Sequence, residues 1–100
     1  MPAAEVRQKF QARLLRPVLS FAEVWFQQVS QIVFHDPLAG ATIFDDQICR
    51  FSKGNVEIEL VSEQGLGQTL WTPSPTYGAH EVAFDVDSER FFEHFFSVFK

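Results

Sequence analysis

The chain has one cysteine, one methionine and one tyrosine in 100 residues, and its five prolines and five glycines form no low-complexity tract. Cys49 has no second cysteine to pair with inside the chain, and no C-x-x-C or zinc-type His/Cys spacing surrounds it. A disulfide framework is therefore excluded, and the fold has to be held by its core, as in proteins of a reducing compartment; a cytoplasmic protein is the expectation. No apolar run approaches the roughly 20 residues of a membrane-spanning helix. The first residues interleave charges with apolar side chains instead of forming the uninterrupted apolar stretch of a secretory leader. Neither a membrane nor an export route is expected as a partner. Basic residues are also scarce: eight Arg and Lys stand against 13 Asp and Glu, a net charge of −5, which is the wrong sign for a dedicated nucleic-acid binder.

The charge deficit is uneven. Residues 1–16 carry four Arg or Lys against one Glu, while the remaining 84 carry four against twelve Asp or Glu. A basic amphipathic segment lying against an acidic body, its own or that of a second subunit, accounts for this more simply than a polyanion-binding arm. What the chain has in abundance is apolar bulk: 46% hydrophobic residues, 15% aromatic, and twelve Phe. Such a composition folds rather than staying disordered. One hundred residues make a single domain, 1–100, small enough that much of its surface stays open and dimerisation would help it.

Residues 55–61 read Asn-Val-Glu-Ile-Glu-Leu-Val, with Val56, Ile58 and Leu60 on one face and Glu57, Glu59 and Val61 on the other, the alternation of a half-buried strand. Residues 80–86 repeat it: Val82, Phe84 and Val86 alternate with Glu81, Ala83 and Asp85. Residues 41–44 and 47–52 are strand-like around Asp45-Asp46, and Gly54 marks a tight hairpin into the 55–61 strand. A short strand at 69–71 follows a Gly-containing connection. Helical spacing appears at residues 3–16 (Val6, Phe10, Leu14) and again from Pro17, which suits a first helical turn. In the second helix Phe21, Val24, Trp25, Val29, Ile32 and Val33 form a wide stripe, and His35-Asp36-Pro37 ends it. Ser88 or Asp87 caps a last helix bearing Phe91, Phe92, Phe95, Phe96, Val98 and Phe99. The expected fold is thus α+β: two N-terminal helices, an antiparallel sheet of about four strands, and a C-terminal helix packed on one sheet face.

The segments Ile58-Glu59-Leu60-Val61 and Tyr77-Gly78-Ala79-His80-Glu81-Val82-Ala83-Phe84-Asp85-Val86-Asp87 resemble the strands of the vicinal oxygen chelate superfamily, the glyoxalase and bleomycin-resistance proteins, over about residues 47–96. The resemblance implies an "I-E-L" strand whose Glu, here Glu59, binds a divalent metal, and a later strand whose ligand His falls here on Glu81, with His80 one place early. A one-residue offset moves a side chain to the other face of a strand. Two further ligands have no counterpart, and the N-terminal helices depart from the family's module. What the resemblance then implies is the metal-free, ligand-sequestering kind of member, which binds between subunits.

Glu57, Glu59, Glu81 and Asp85 make an acidic face suited either to Mg²⁺ or Mn²⁺ or simply to water, since alternating carboxylates are the ordinary dress of a solvated sheet face. No metal ligand set is assigned, and a divalent cation is the one cofactor considered. His35, His80 and His94 are dispersed over three elements, and Ser74 and Thr76 lack the context of an activated nucleophile. Trp71 and Tyr77, beside Pro73 and Pro75, are the amphipathic aromatics of a ligand pocket. The resulting expectation is a small-molecule-binding module, its cleft bounded by the sheet and residues 71–77 and lined by Trp71, Tyr77, Glu59 and Glu81. Phe91, Phe95 and Val98 would form a homodimer interface. The rival readings are a metal-assisted lyase or isomerase of the chelate type and a protein-interaction module with a Phe-rich surface.

Overall fold

A computed structural model describes residues 1–99 of the chain. In order, its elements are α1 (Ala3–Lys9), α2 (Arg16–Trp25), α3 (His35–Ala41), β1 (Cys49–Ile58), β2 (Thr69–Pro73), β3 (His80–Val86) and α4 (Ser88–Val98). The class is α+β; the described residues form four helices and one antiparallel sheet of three strands, so the expected count of two N-terminal helices and about four strands is corrected. The elements group into a helical unit, Met1–Asp46 with the chain from Ser88 onward, and a sheet unit, Gln47–Asp87.

In the helical unit Val6, Phe10 and Leu15 are fully buried, and Leu19, Phe26, Ile32, Phe34, Phe95 and Phe96 pack around them. Pro17 opens α2 in its first turn, where its missing N–H costs nothing. The helix stops at Trp25, well short of the expected Val33. Val29, Ile32 and Val33 are β-branched and pay in side-chain freedom for a helix, and the segment instead extends alongside the N-terminus: Ile32 N–H donates to Met1 O (3.0 Å) and Ala3 N–H to Ser30 O (3.0 Å). The inward stripe of α2 is also not the expected one. Leu15, Leu19, Ala22 and Phe26 face the core, while Phe21, Val24, Trp25 and Val33 are exposed. His35-Asp36-Pro37, expected to end a helix, starts one: Pro37 and Asp36 sit in the first turn of α3, where orphan N–H groups tolerate the one and favour the other. The expected 41–44 strand is absent: Ala41 is the last residue of that helix and residues 42–44 are the turn after it.

Phe34, just ahead of α3, is the hub of the helical unit. Its ring meets those of Phe10, Phe91, Phe92 and Phe95 edge-on, with centroids 6.2, 6.1, 5.1 and 5.6 Å away. The Phe stripe of α4 is thereby used within the helical unit. Arg7 binds Glu23 with two hydrogen bonds of 2.7 and 2.8 Å and ties α1 to α2, an exposed pair of small net worth.

The sheet order is β2-β1-β3. The expected 47–52 and 55–61 strands are one continuous strand, Cys49–Ile58, because Gly54 is mid-strand rather than at a hairpin turn. The indole of Trp71 and the carbonyl of Thr72 lie where a Cβ on Gly54 would be, and Gly78 approaches its backbone from the other neighbouring segment. The glycine is there for close approach. Val56 pairs with Trp71 and Gly54 with His80, so these side chains share one face of the sheet. Between Arg50 and Phe51 the register with β3 slips by one, leaving Phe84 as the extra residue of a bulge. Beyond the slip Asp85 stands opposite Arg50 and Val86 opposite Cys49. Val86 is thereby turned away from Val82, against the strict alternation expected of residues 80–86.

Two substitutions check these accounts in urea unfolding. Phe34→Ala, which empties the centre of four ring contacts, is expected to lower the unfolding free energy by about 3 kcal/mol. Gly54→Ala, which forces the Trp71 indole off the strand, is expected to cost roughly 2 kcal/mol. A Gly54→Ala variant as stable as the parent would show that the indole does not rest there.

Candidate interaction surface

The four residues expected to line one cleft are on separate parts of the sheet unit. Trp71 lies over Gly54 with its ring centroid 5.5 Å from that of Phe84. Glu81 pairs opposite Lys53, on the other face of the sheet. Tyr77 is almost wholly exposed in the β2–β3 connection. Glu59 is just past the end of β1 and turns back on its own loop, its Oε1 accepting from Val61 N–H (2.7 Å) and Ser62 N–H (3.0 Å). Those backbone donors, Ser62 first and Val61 second, hold its carboxyl below the ordinary value of 4.5. Glu59 is a turn cap, and sequence alternation alone placed it on a strand face.

The acidic face disperses for the same reasons. Asp85 shares the Trp71 side with Arg50, whose guanidinium hydrogen-bonds it and lowers its pKa, while Glu57 and Glu81 are on the opposite side. Among the described residues no group of three or more His, Cys, Asp or Glu side chains is arranged to hold a metal ion. His80 has a structural partner: its Nδ1 accepts from Val56 N–H (3.1 Å), completing the β1 ladder where β3 runs out. Asn55 Oδ1 does the same for Ala79 N–H at 3.1 Å. His35 begins α3 and His94 lies on α4. Cys49 is buried. Of the three expected interface residues, Phe91 is only 3% exposed, its ring enclosed by Phe34, Phe92 and Phe95; Phe95 is half-buried, and Val98 alone is open.

The open apolar surface is elsewhere, and it is large. Eighteen large hydrophobic side chains of the described residues are exposed, against eight hydrophobic residues that are buried. They fall into patches. In the helical unit Leu14, just before α2, and Val18, Phe21 and Trp25 on it are exposed, and the last three form a groove of about 410 Å³ with Ala22, Ile32 and Val33. Ile43 and Phe44 project from the turn after α3. In the sheet unit Leu60, Val61 and Leu66 stand at the tip of the β1–β2 hairpin, and Phe51, Ile58, Leu70 and Phe84 are open along the strands. The sheet edge is guarded: alternation from the Ser74 N–H to Lys53 O bond (3.0 Å) puts Thr69, Trp71 and Pro73 outward on β2, and Pro73 has no N–H to offer a further strand. No helix among the described residues is long and apolar enough to cross a membrane.

No protein-family model matches the chain, and no curated protein matches it in sequence.

The Glu59 cap sets a pH dependence. Because the native carboxyl titrates below 4.5, its contribution is complete above the unfolded value and is lost as pH falls through the lower native one. Hydrogen-exchange protection of the Val61 and Ser62 amides is expected to fall across that acidic window. In Glu59→Gln, which keeps an oxygen acceptor but no charge, protection should be lower at neutral pH and flat below it. A step of equal size in both proteins would assign it to another group.

Proposed function

We propose that the chain is a protein-association module whose open apolar faces are completed by a second polypeptide. The observation that carries this is the outer side of α2 and the turn before it, where two aromatic and two aliphatic side chains are exposed in a row while the adjacent row, one residue step on, is closed in. Contiguous apolar patches of this size on a folded surface mark interaction sites. A small-molecule cleft lined by Trp71, Tyr77, Glu59 and Glu81 has less to support it, since its walls would have to come from two faces of the sheet and a turn cap that is already engaged. The chelate-type enzyme reading lacks a convergent ligand set.

The test separates surface from core. If Phe21 and Phe44 are kept for association, replacing both by Ser should change unfolding free energy by no more than about 0.5 kcal/mol each. The same change should sharply reduce binding of an apolar dye such as ANS to the native chain. A loss of stability comparable to a core deletion, or native protein that binds no dye before substitution, would sink the reading.

A further inference from the structure

Residues 14, 18, 21 and 25 are spaced four, three and four apart, the seam that packs one helix along another. Residues 15, 19, 22 and 26 repeat the same spacing one step on, and that second seam is the one closed into the core. The outer seam is open: Leu14 is 68% exposed, Val18 46%, Phe21 77% and Trp25 54%. It runs about 16 Å along the helix and the turn before it. Val18, Phe21 and Trp25 of this seam form one wall of the shallow groove that continues over Ala22 to Ile32 and Val33.

From this we infer that α2 pairs antiparallel with α2 of a second copy of the chain. The inference rests on the association reading and names its occupant. Two observations choose a second copy in this orientation. The first is charge. The first turn of α2 carries no acidic residue and its last turn no basic one, while Arg13 and Arg16 lie at its N-terminal end. Cations there oppose the helix's own dipole. An antiparallel neighbour sets them beside the partner's C-terminal carbonyls and relieves the mismatch at both ends at once, because the arrangement has two-fold symmetry. The seam is otherwise uncharged; Glu23, on the same helix, is already held by Arg7. The second is area. The four seam residues expose roughly 500 Å² of surface per copy, so full coverage of both seams would bury about 1,000 Å², where specific interfaces begin. In this pairing Val18 meets the partner's Phe21 and Leu14 meets the partner's Trp25, and the two Phe21 positions lie within one helical turn of each other across the axis.

Analytical ultracentrifugation of the full chain at micromolar concentration tests this. The wild type is expected to sediment as a dimer. Phe21→Glu is expected to weaken the dimer at least tenfold with an unchanged far-UV circular dichroism spectrum, since the side chain is outside the core, while Ile58→Glu on the sheet leaves it intact. Phe21→Lys should be monomeric like Phe21→Glu, and an equimolar mixture of the two should dimerise, because the opposite charges then face each other. A dimer that survives Phe21→Glu but not Ile58→Glu overturns the α2 pairing. So does a mixture that stays monomeric. A monomeric wild type that still binds apolar dye overturns the second copy as occupant, gives the seam to another polypeptide and leaves the association reading standing; a monomer that binds none removes both.

Discussion

The helices of this chain are too short to stand alone. α1 and α3 have seven residues each, α2 ten and α4 eleven, all below the length at which an isolated helix persists in water. What holds them is the edge-on packing of phenylalanine rings around Phe34, a residue outside any helix. Because Phe34 touches the ring of Phe10, at the end of α1, and rings from three positions of α4, the order of these short elements is coupled. A cluster of this kind is demanding in geometry, since edge-to-face contacts are lost when a ring shifts by an ångström or two. It also uses the Phe-rich stripe of α4 inside the chain, which is why Phe91 is closed off and the surplus apolar surface lies on other elements.

Local signals in the sequence were reliable where one element carried its own instruction. Pro17 at the start of α2, the residues 80–86 strand and the Ser88 start of α4 are all present as the patterns indicate. The misreadings share a different cause: each concerns a residue whose local preference is outweighed by something distant in sequence. Gly54 and Pro37 are turn-formers by habit, yet one is required by an indole 17 positions later and the other fits a helical first turn. The early end of α2 follows from pairing with Met1 and Ala3, some thirty residues earlier. No window of local sequence contains that information.

The candidate site was less legible than the fold, for reasons of register. Alternation assigns faces correctly only while a strand stays regular, and one extra residue, Phe84, reverses every side chain beyond it. Asp85 therefore finds Arg50 instead of joining Glu81. Glu59 shows the complementary failure: β1 has ended by then, so its carboxylate is spent on two backbone N–H groups of the following turn. Carboxylates engaged in this way are unavailable as a metal cage or a general base without first giving up their present partners, and His80 is engaged likewise with Val56.

The α2 surface shows where pattern reading stops in principle. Hydrophobic periodicity reports that a helix has an apolar stripe, but a helix apolar over most of its circumference has two, separated here by a single residue step. Bulk favours the wrong one: Phe21 and Trp25 are larger than Leu19 and Ala22, yet the latter are the ones closed in. Leu19 and Phe26 pack against the Val6, Phe10 and Leu15 cluster, and Ala22 between them is buried although it is too small to fill much space. The large rings are thereby left outside because the core is already filled by Phe10 and the rings around Phe34. Phe21 and Trp25 thus stay open while smaller neighbours are closed in, and it is this open bulk, rather than any convergence of polar groups, on which the proposed association rests.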